Sequence, residues 1–88
     1  MRVHDLEIPK NFEKEDLQRL TREANQFSSD IKIRYITDHQ VEVDMKSLLG
    51  MMLVPIEKGT KITLVTKGPD EKEAIDFISE LLEKPSLS

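Results

Sequence analysis

Residues Lys46 to Leu64 read KSLLGMMLVPIEKGTKITL, a short apolar run, a break and an alternating run in direct succession. Ser47 stands just before the apolar run, where its hydroxyl can accept from an unpaired amide of a first helical turn, so it is placed as an N-cap. The helix it opens has to be brief, because Pro55 has no amide hydrogen and Gly59 marks a turn. Thr60 to Thr66 then alternates polar and apolar residues, the pattern of a strand with one face buried. A capped helix of little more than one turn therefore delivers the chain into a strand. Met51, Leu53 and Ile56 are expected to fill the core from this segment. A run this apolar on so short a helix must also leave some apolar surface outside.

Working outward, Val3 to Ile8 places His4, Leu6 and Ile8 on one side of an extended chain, and Pro9 ends it. Leu17, Leu20, Ala24 and Phe27 then follow at spacings of three, four and three, the stripe of an amphipathic helix. Glu13, Glu15 and Asp16 crowd its start, where the positive end of the helix dipole favours them. Ile31, Ile33 and Tyr35 alternate with Lys32 and Arg34, and Val41, Val43 and Met45 with Glu42 and Asp44. The turn-forming Thr37, Asp38 and His39 between them make this a hairpin. Beyond Gly68 and Pro69, Asp70, Glu71 and Glu73 begin a last helix whose apolar face is Ala74, Ile78, Leu81 and Leu82, stopped by Pro85.

The order β-α-β-β-α-β-α predicts an α+β fold, an open-faced β-sandwich in which three helices cover one face of a four-stranded antiparallel sheet. The other face is expected to be wet and to carry Lys32, Arg34, Glu42, Asp44, Lys61 and Thr63. A single domain over residues 1–84 and a flexible tail at 85–88 are expected.

A chain of 88 residues is enough for one small domain and leaves little room for an enclosed substrate chamber, so any site is expected on the surface. Thirteen basic against 17 acidic residues give a net charge of −4, which opposes a phosphate backbone and argues against nucleic acid as a partner. There is no cysteine, which removes disulfide scaffolds, zinc ribbons and thiol chemistry. No apolar run approaches the roughly 20 residues of a membrane helix, and no signal-like start is recognised. A soluble, cytoplasmic protein without membrane association is expected.

The sequence offers no catalytic constellation, and a non-enzymatic protein without cofactor is expected. His4 and His39 lack ligand spacing, so no metal site is predicted. The carboxylates of the first helix read as a solvated face, since nothing suggests the burial or close pairing that tunes a general acid or base. The glycines stand singly, without a phosphate-cradling loop.

The segment Lys46 to Leu64 closely resembles the corresponding region of HPr, the small phosphocarrier of the bacterial sugar phosphotransferase system. There a Lys-Ser pair opens the second helix, a Gly follows three residues after the Ser, and a Lys-Gly turn leads into the last strand. The resemblance extends through Gly68 to Leu82 and, more weakly, back through the hairpin, whose Tyr35 to Val41 turn is a few residues longer than the family's. It implies the same β-α-β-β-α-β-α fold. In the family a His-Ala-Arg-Pro element opens the first helix, and its His carries a phosphoryl group from Enzyme I to sugar-specific components. Laid on it, Phe12 to Asp16 puts Glu13 at the acceptor position and Glu15 at the Arg, an anionic pair that repels phosphate.

The resemblance lays the serine that HPr kinase/phosphorylase modifies onto Ser47, with Lys46 beside it. Leu48, Leu49 and Met52 match the apolar patch through which HPr-like proteins meet their partners, and Met suits an adaptable contact. Without the family, Ser47 is an ordinary N-cap; with it, N-cap and phosphorylation site stand side by side. Three functions follow. The first is a noncatalytic regulatory protein similar to the catabolite-repression HPr homologue, with Ser47 phosphorylation controlling a partner such as a catabolite control transcription factor. The second is a phosphocarrier; the third is an interaction module of the HPr fold without phosphorylation.

Overall fold

The computed structural model describes residues 1–84. Along the chain lie β1 (Arg2–Glu7), α1 (Lys14–Ala24), β2 (Asp30–Ile36), β3 (Gln40–Asp44), α2 (Leu48–Met51), β4 (Lys61–Lys67) and α3 (Glu71–Glu83). The strands form one sheet in the order β1-β4-β2-β3, antiparallel at every pairing. This is the expected α+β arrangement and the expected order of elements. The flexible tail proposed for 85–88, and Pro85 as helix stop, lie outside the described residues.

Strand alternation puts Leu6, Ile31, Ile33, Ile62 and Leu64 on the helix-covered face, all buried, with Ile33 and Leu64 paired in register and both fully enclosed. Leu17, Leu20 and Ala24 of α1 and Ala74, Ile75, Ile78 and Leu82 of α3 close the core from above. Each of the larger side chains contributes about 1.5–3 kcal/mol on leaving water, so the stripe-to-sheet match drives folding. Two details differ from expectation. The first helix ends at Ala24, so Phe27 lies beyond it and packs half-buried against Phe77, ring centroids 5.9 Å apart. Ile75 joins the α3 core face, while Leu81 is only half-buried at its margin.

The polar residues named for the other face do lie there, and a row in register crosses all four strands: Asp5, Thr63, Arg34 and Glu42. The Thr63 hydroxyl donates to Asp5 at 2.6 Å, and Arg34 Nε donates to Glu42 at 2.6 Å. The Arg34 bond is the largest influence holding the Glu42 carboxyl below its ordinary range. That face is not uniformly wet, since Val65, flanked by Val3 and Lys32, is 6% exposed.

Candidate functional site: the serine that caps α2

Asp44 sets up the entry to α2. Its carboxylate accepts from the Lys46 amide at 2.9 Å and its carbonyl from the Ser47 amide at 3.1 Å, a tight turn at the end of β3. Ser47 leaves that turn with extended backbone angles, and its Oγ accepts from the Gly50 amide at 3.1 Å. Ser47 is thus the N-cap that its position before the apolar run predicted. The hydroxyl is half-buried at the surface, not enclosed by the core. Met52 closes the far end, and Pro55 prevents continuation.

Lys46 turns away from the hydroxyl. Its Nζ donates to the Phe27 carbonyl at 2.7 Å, and its own carbonyl accepts from Asn25 Nδ2 at 3.2 Å. The ammonium therefore neutralises carbonyl charge just past the end of α1. Of the apolar candidates, Leu49 is 79% exposed and Met52 51% exposed, while Leu48 is partly buried against the core.

Leu53 corrects the sequence reading. Met51 and Ile56 are buried as expected, but Leu53 is 75% exposed. The chain after Gly50 tightens, with the Leu53 amide on the Gly50 carbonyl and the Val54 amide on the Met51 carbonyl. That tightening sends Val54, buried at 6%, into the place Leu53 was given. Leu53 belongs with Leu49 and Met52 on an outer apolar patch. An apolar run without polar interruption holds no signal of which member faces out, so sequence reasoning missed it.

Glu13 stands at the other end of α1. It is exposed, it is the N-cap residue, and its amide donates to Asp16 Oδ2 at 2.9 Å, with Lys10 Nζ 3.5 Å from the same oxygen. The chain from Lys46 through α2 to Ile56 runs back along α1, from the Asn25–Lys46 bond at one end to the Phe12 amide on the Ile56 carbonyl at the other. Ser47 and Glu13 are therefore separated by the length of α1, about 16 Å for its 11 residues. Among the described residues, no cluster of three His, Asp or Glu could hold a metal ion, and no helix is long and apolar enough to cross a membrane.

A four-stranded antiparallel sheet under three helices, with a serine capping the short middle helix beside exposed Leu and Met, defines the class of small HPr-type domains. A family model described as the PTS HPr component phosphorylation site matches residues 15–84, and the chain belongs to that family. The match begins beyond Glu13. Among relatives, the HPr-like protein Crh of Halalkalibacterium halodurans is 40% identical over 63 residues, 72% of this chain and 71% of that one. The HPr-like protein Crh of Bacillus subtilis is 32% identical over the same shares. Among solved structures, the phosphocarrier protein HPr from Bacillus anthracis superposes with a TM-score of 0.82 at 26% identity, covering 93% of this chain and 96% of that one. Crh of Bacillus subtilis, described as a swapped, intertwined dimer, gives 0.72 at 27% identity, covering 93% and 90%.

Proposed function

We propose that this chain is a noncatalytic regulatory protein of the HPr family that works through reversible phosphorylation of Ser47 and protein binding at the surface beside it. The observation carrying this reading is the half-buried Ser47 hydroxyl at the head of α2, next to an apolar patch of Leu49, Met52 and Leu53. The relatives named Crh support a regulatory role in catabolite repression. The kinase is HPr kinase/phosphorylase, and the partner is a catabolite control transcription factor or a protein of equivalent surface.

In the transfer, Ser47 Oγ attacks the γ-phosphorus of ATP as its proton passes to a base on the kinase. The new Oγ–P bond replaces the bond from that phosphorus to ADP, which leaves. The dianion then stands where the Gly50 amide already points, and charge strengthens that hydrogen bond. Lys46 contributes to this site only after leaving the Phe27 carbonyl. Added charge beside Leu49 and Met52 changes which partner surface is complementary.

The phosphocarrier reading is disfavoured by the first turn of α1. The Glu13 amide is already taken by the Asp16 carboxylate, and Glu13, Glu15 and Asp16 present negative charge to an incoming phosphate. Intact-mass measurement separates the readings. HPr kinase with ATP should add one phosphate to the wild type and none to Ser47→Ala, and Enzyme I with phosphoenolpyruvate should add none. No kinase-dependent gain leaves an interaction module without phosphorylation, and a gain from Enzyme I restores the carrier.

A further inference from the structure

Strands β2 and β4 pair only as far as Arg34 with Thr63, although β4 stays paired with β1 to Lys61 and β2 stays paired with β3 to Ile36. The sheet is thus split at one end between its two central strands. The alternation of an antiparallel ladder shows which groups face the split. The Ile8 amide bonds the Thr60 carbonyl, so even-numbered β4 residues point their backbone groups at β1 and odd-numbered ones at β2. The Met45 amide bonds the Ile31 carbonyl, so odd-numbered β2 residues point theirs at β3 and even-numbered ones at β4. Ile36 and Lys61 therefore aim their N–H and C=O groups at one another across the split, without the ladder bonds that Arg34 and Thr63 make.

A groove of about 760 Å³ occupies this opening, within the range of ligand-binding clefts, with Glu7 and Lys61 on one side, Tyr35 and Ile36 on the other, and Pro55 in its lining. Ile36 is 79% exposed at its edge, although it lies within a strand. Glu7 and Lys61 are register partners, yet neither takes part in an ion pair among the described residues. Main-chain donors and acceptors without their ladder partners, an uncovered β-branched side chain and two uncommitted charges occur together at this open end of the sheet.

We infer that the opening between β2 and β4 is a binding site for an extended peptide segment of a partner protein. The peptide backbone pairs with the N–H and C=O groups of Ile36 and Lys61, in the manner of strand addition. One apolar side chain of the peptide covers Ile36, and its polar neighbours meet Lys61 and Glu7. An extended chain is the occupant because the recognising groups are backbone groups in strand geometry, which a strand satisfies on both sides. This site is independent of Ser47 and of any phosphorylation.

A phage-displayed random-peptide library panned on the purified chain supplies the probe, and an enriched peptide is then synthesised and titrated. Binding should slow amide exchange at Ile36 and Lys61, read by NMR, by about tenfold or more. Ile36→Lys should weaken binding by about tenfold, while Leu49→Lys, on the α2 surface, should bind as the wild type does. Ile36→Thr, which keeps a β-branched residue in the strand, guards against a folding defect and should also weaken binding. The inference is overturned if no peptide is enriched, if binding depends on Leu49 and not on Ile36, or if exchange at Ile36 and Lys61 is unchanged in the complex. Self-association that protects the same two amides without peptide would equally overturn it.

Discussion

The Asp70 carboxylate accepts from the Ser29 amide at 2.8 Å, joining residues 41 positions apart and tying the start of α3 to the segment between α1 and β2. The same carboxylate accepts from the Ser28 amide at 3.0 Å and from the Ser29 hydroxyl, and the Ser29 hydroxyl oxygen in turn accepts from the Asp70 amide at 3.0 Å. Ser29 is 1% exposed, so its hydroxyl has exchanged water for this carboxylate. These bonds, the Ser29 hydroxyl first, hold the Asp70 carboxyl below its ordinary range.

The first prediction concerns acid. A carboxyl whose pKa falls on folding binds its proton more weakly in the native state, so its stabilisation is complete above the unfolded value and disappears as pH falls through the folded one. Glu42, bonded first by Arg34, and Glu71, bonded first by the Met1 ammonium, shift in the same direction. Urea midpoints from about pH 7 to about pH 3 should therefore decline below about pH 4. Asp70→Asn should lower the midpoint at neutral pH and flatten the acid decline. An acid limb as steep as the wild type's would remove Asp70 from this account.

The second contrasts two glycines. Gly68 has φ +148° and a Cβ there would lie 2.6 Å from Ser29 Oγ and 2.7 Å from Ser29 Cα, so Gly68→Ala should cost about 2 kcal/mol or more through strain and overlap. Gly50 sits in α2 with its hypothetical Cβ 3.4 Å from the Asp44 carbonyl, ordinary contact. Gly50→Ala should therefore raise stability by about 0.5–1 kcal/mol. Chemical denaturation of both variants checks the opposite signs.

The third concerns the cap. Ser47→Ala removes the acceptor for the Gly50 amide and should cost about 1 kcal/mol, whereas Ser47→Asp, which keeps an acceptor, should cost less. A thermal midpoint unchanged in Ser47→Ala would show that the 3.1 Å bond contributes nothing to stability.

The fourth follows from the corrected orientation of α2. Leu53→Lys should change stability by no more than about 0.5 kcal/mol, because the side chain is already in water, while Met51→Ala should cost about 2–5 kcal/mol by opening the core. A large loss from Leu53→Lys would return Leu53 to the interior.

Much of the fold was legible because its signals are local. The alternation of Ile31 to Tyr35 and of Val41 to Met45, the break at Thr37 to His39 and the cap at Ser47 each depend on residues within a few positions, and all four stand as read. The helix stripes were read with small errors at Phe27, Ile75 and Leu81, where burial depends on the neighbouring element. At the candidate site, the sequence singled out Ser47, Leu49 and Met52 but misplaced Leu53, because within a continuous apolar run the facing direction follows the tightening of the turn.

By itself, then, the chain determined its order of elements, the inward faces of its strands and the serine that starts its second helix, since backbone preference and side-chain periodicity act over one turn or a few strand residues. Only the assembled molecule decided that Lys46 reaches Phe27, that Asp70 grips Ser29, and that β2 and β4 part beyond Arg34 and Thr63. Each of those pairs residues far apart in sequence. Such contacts form when burying the core fixes where whole elements sit, and no short window of residues encodes that placement.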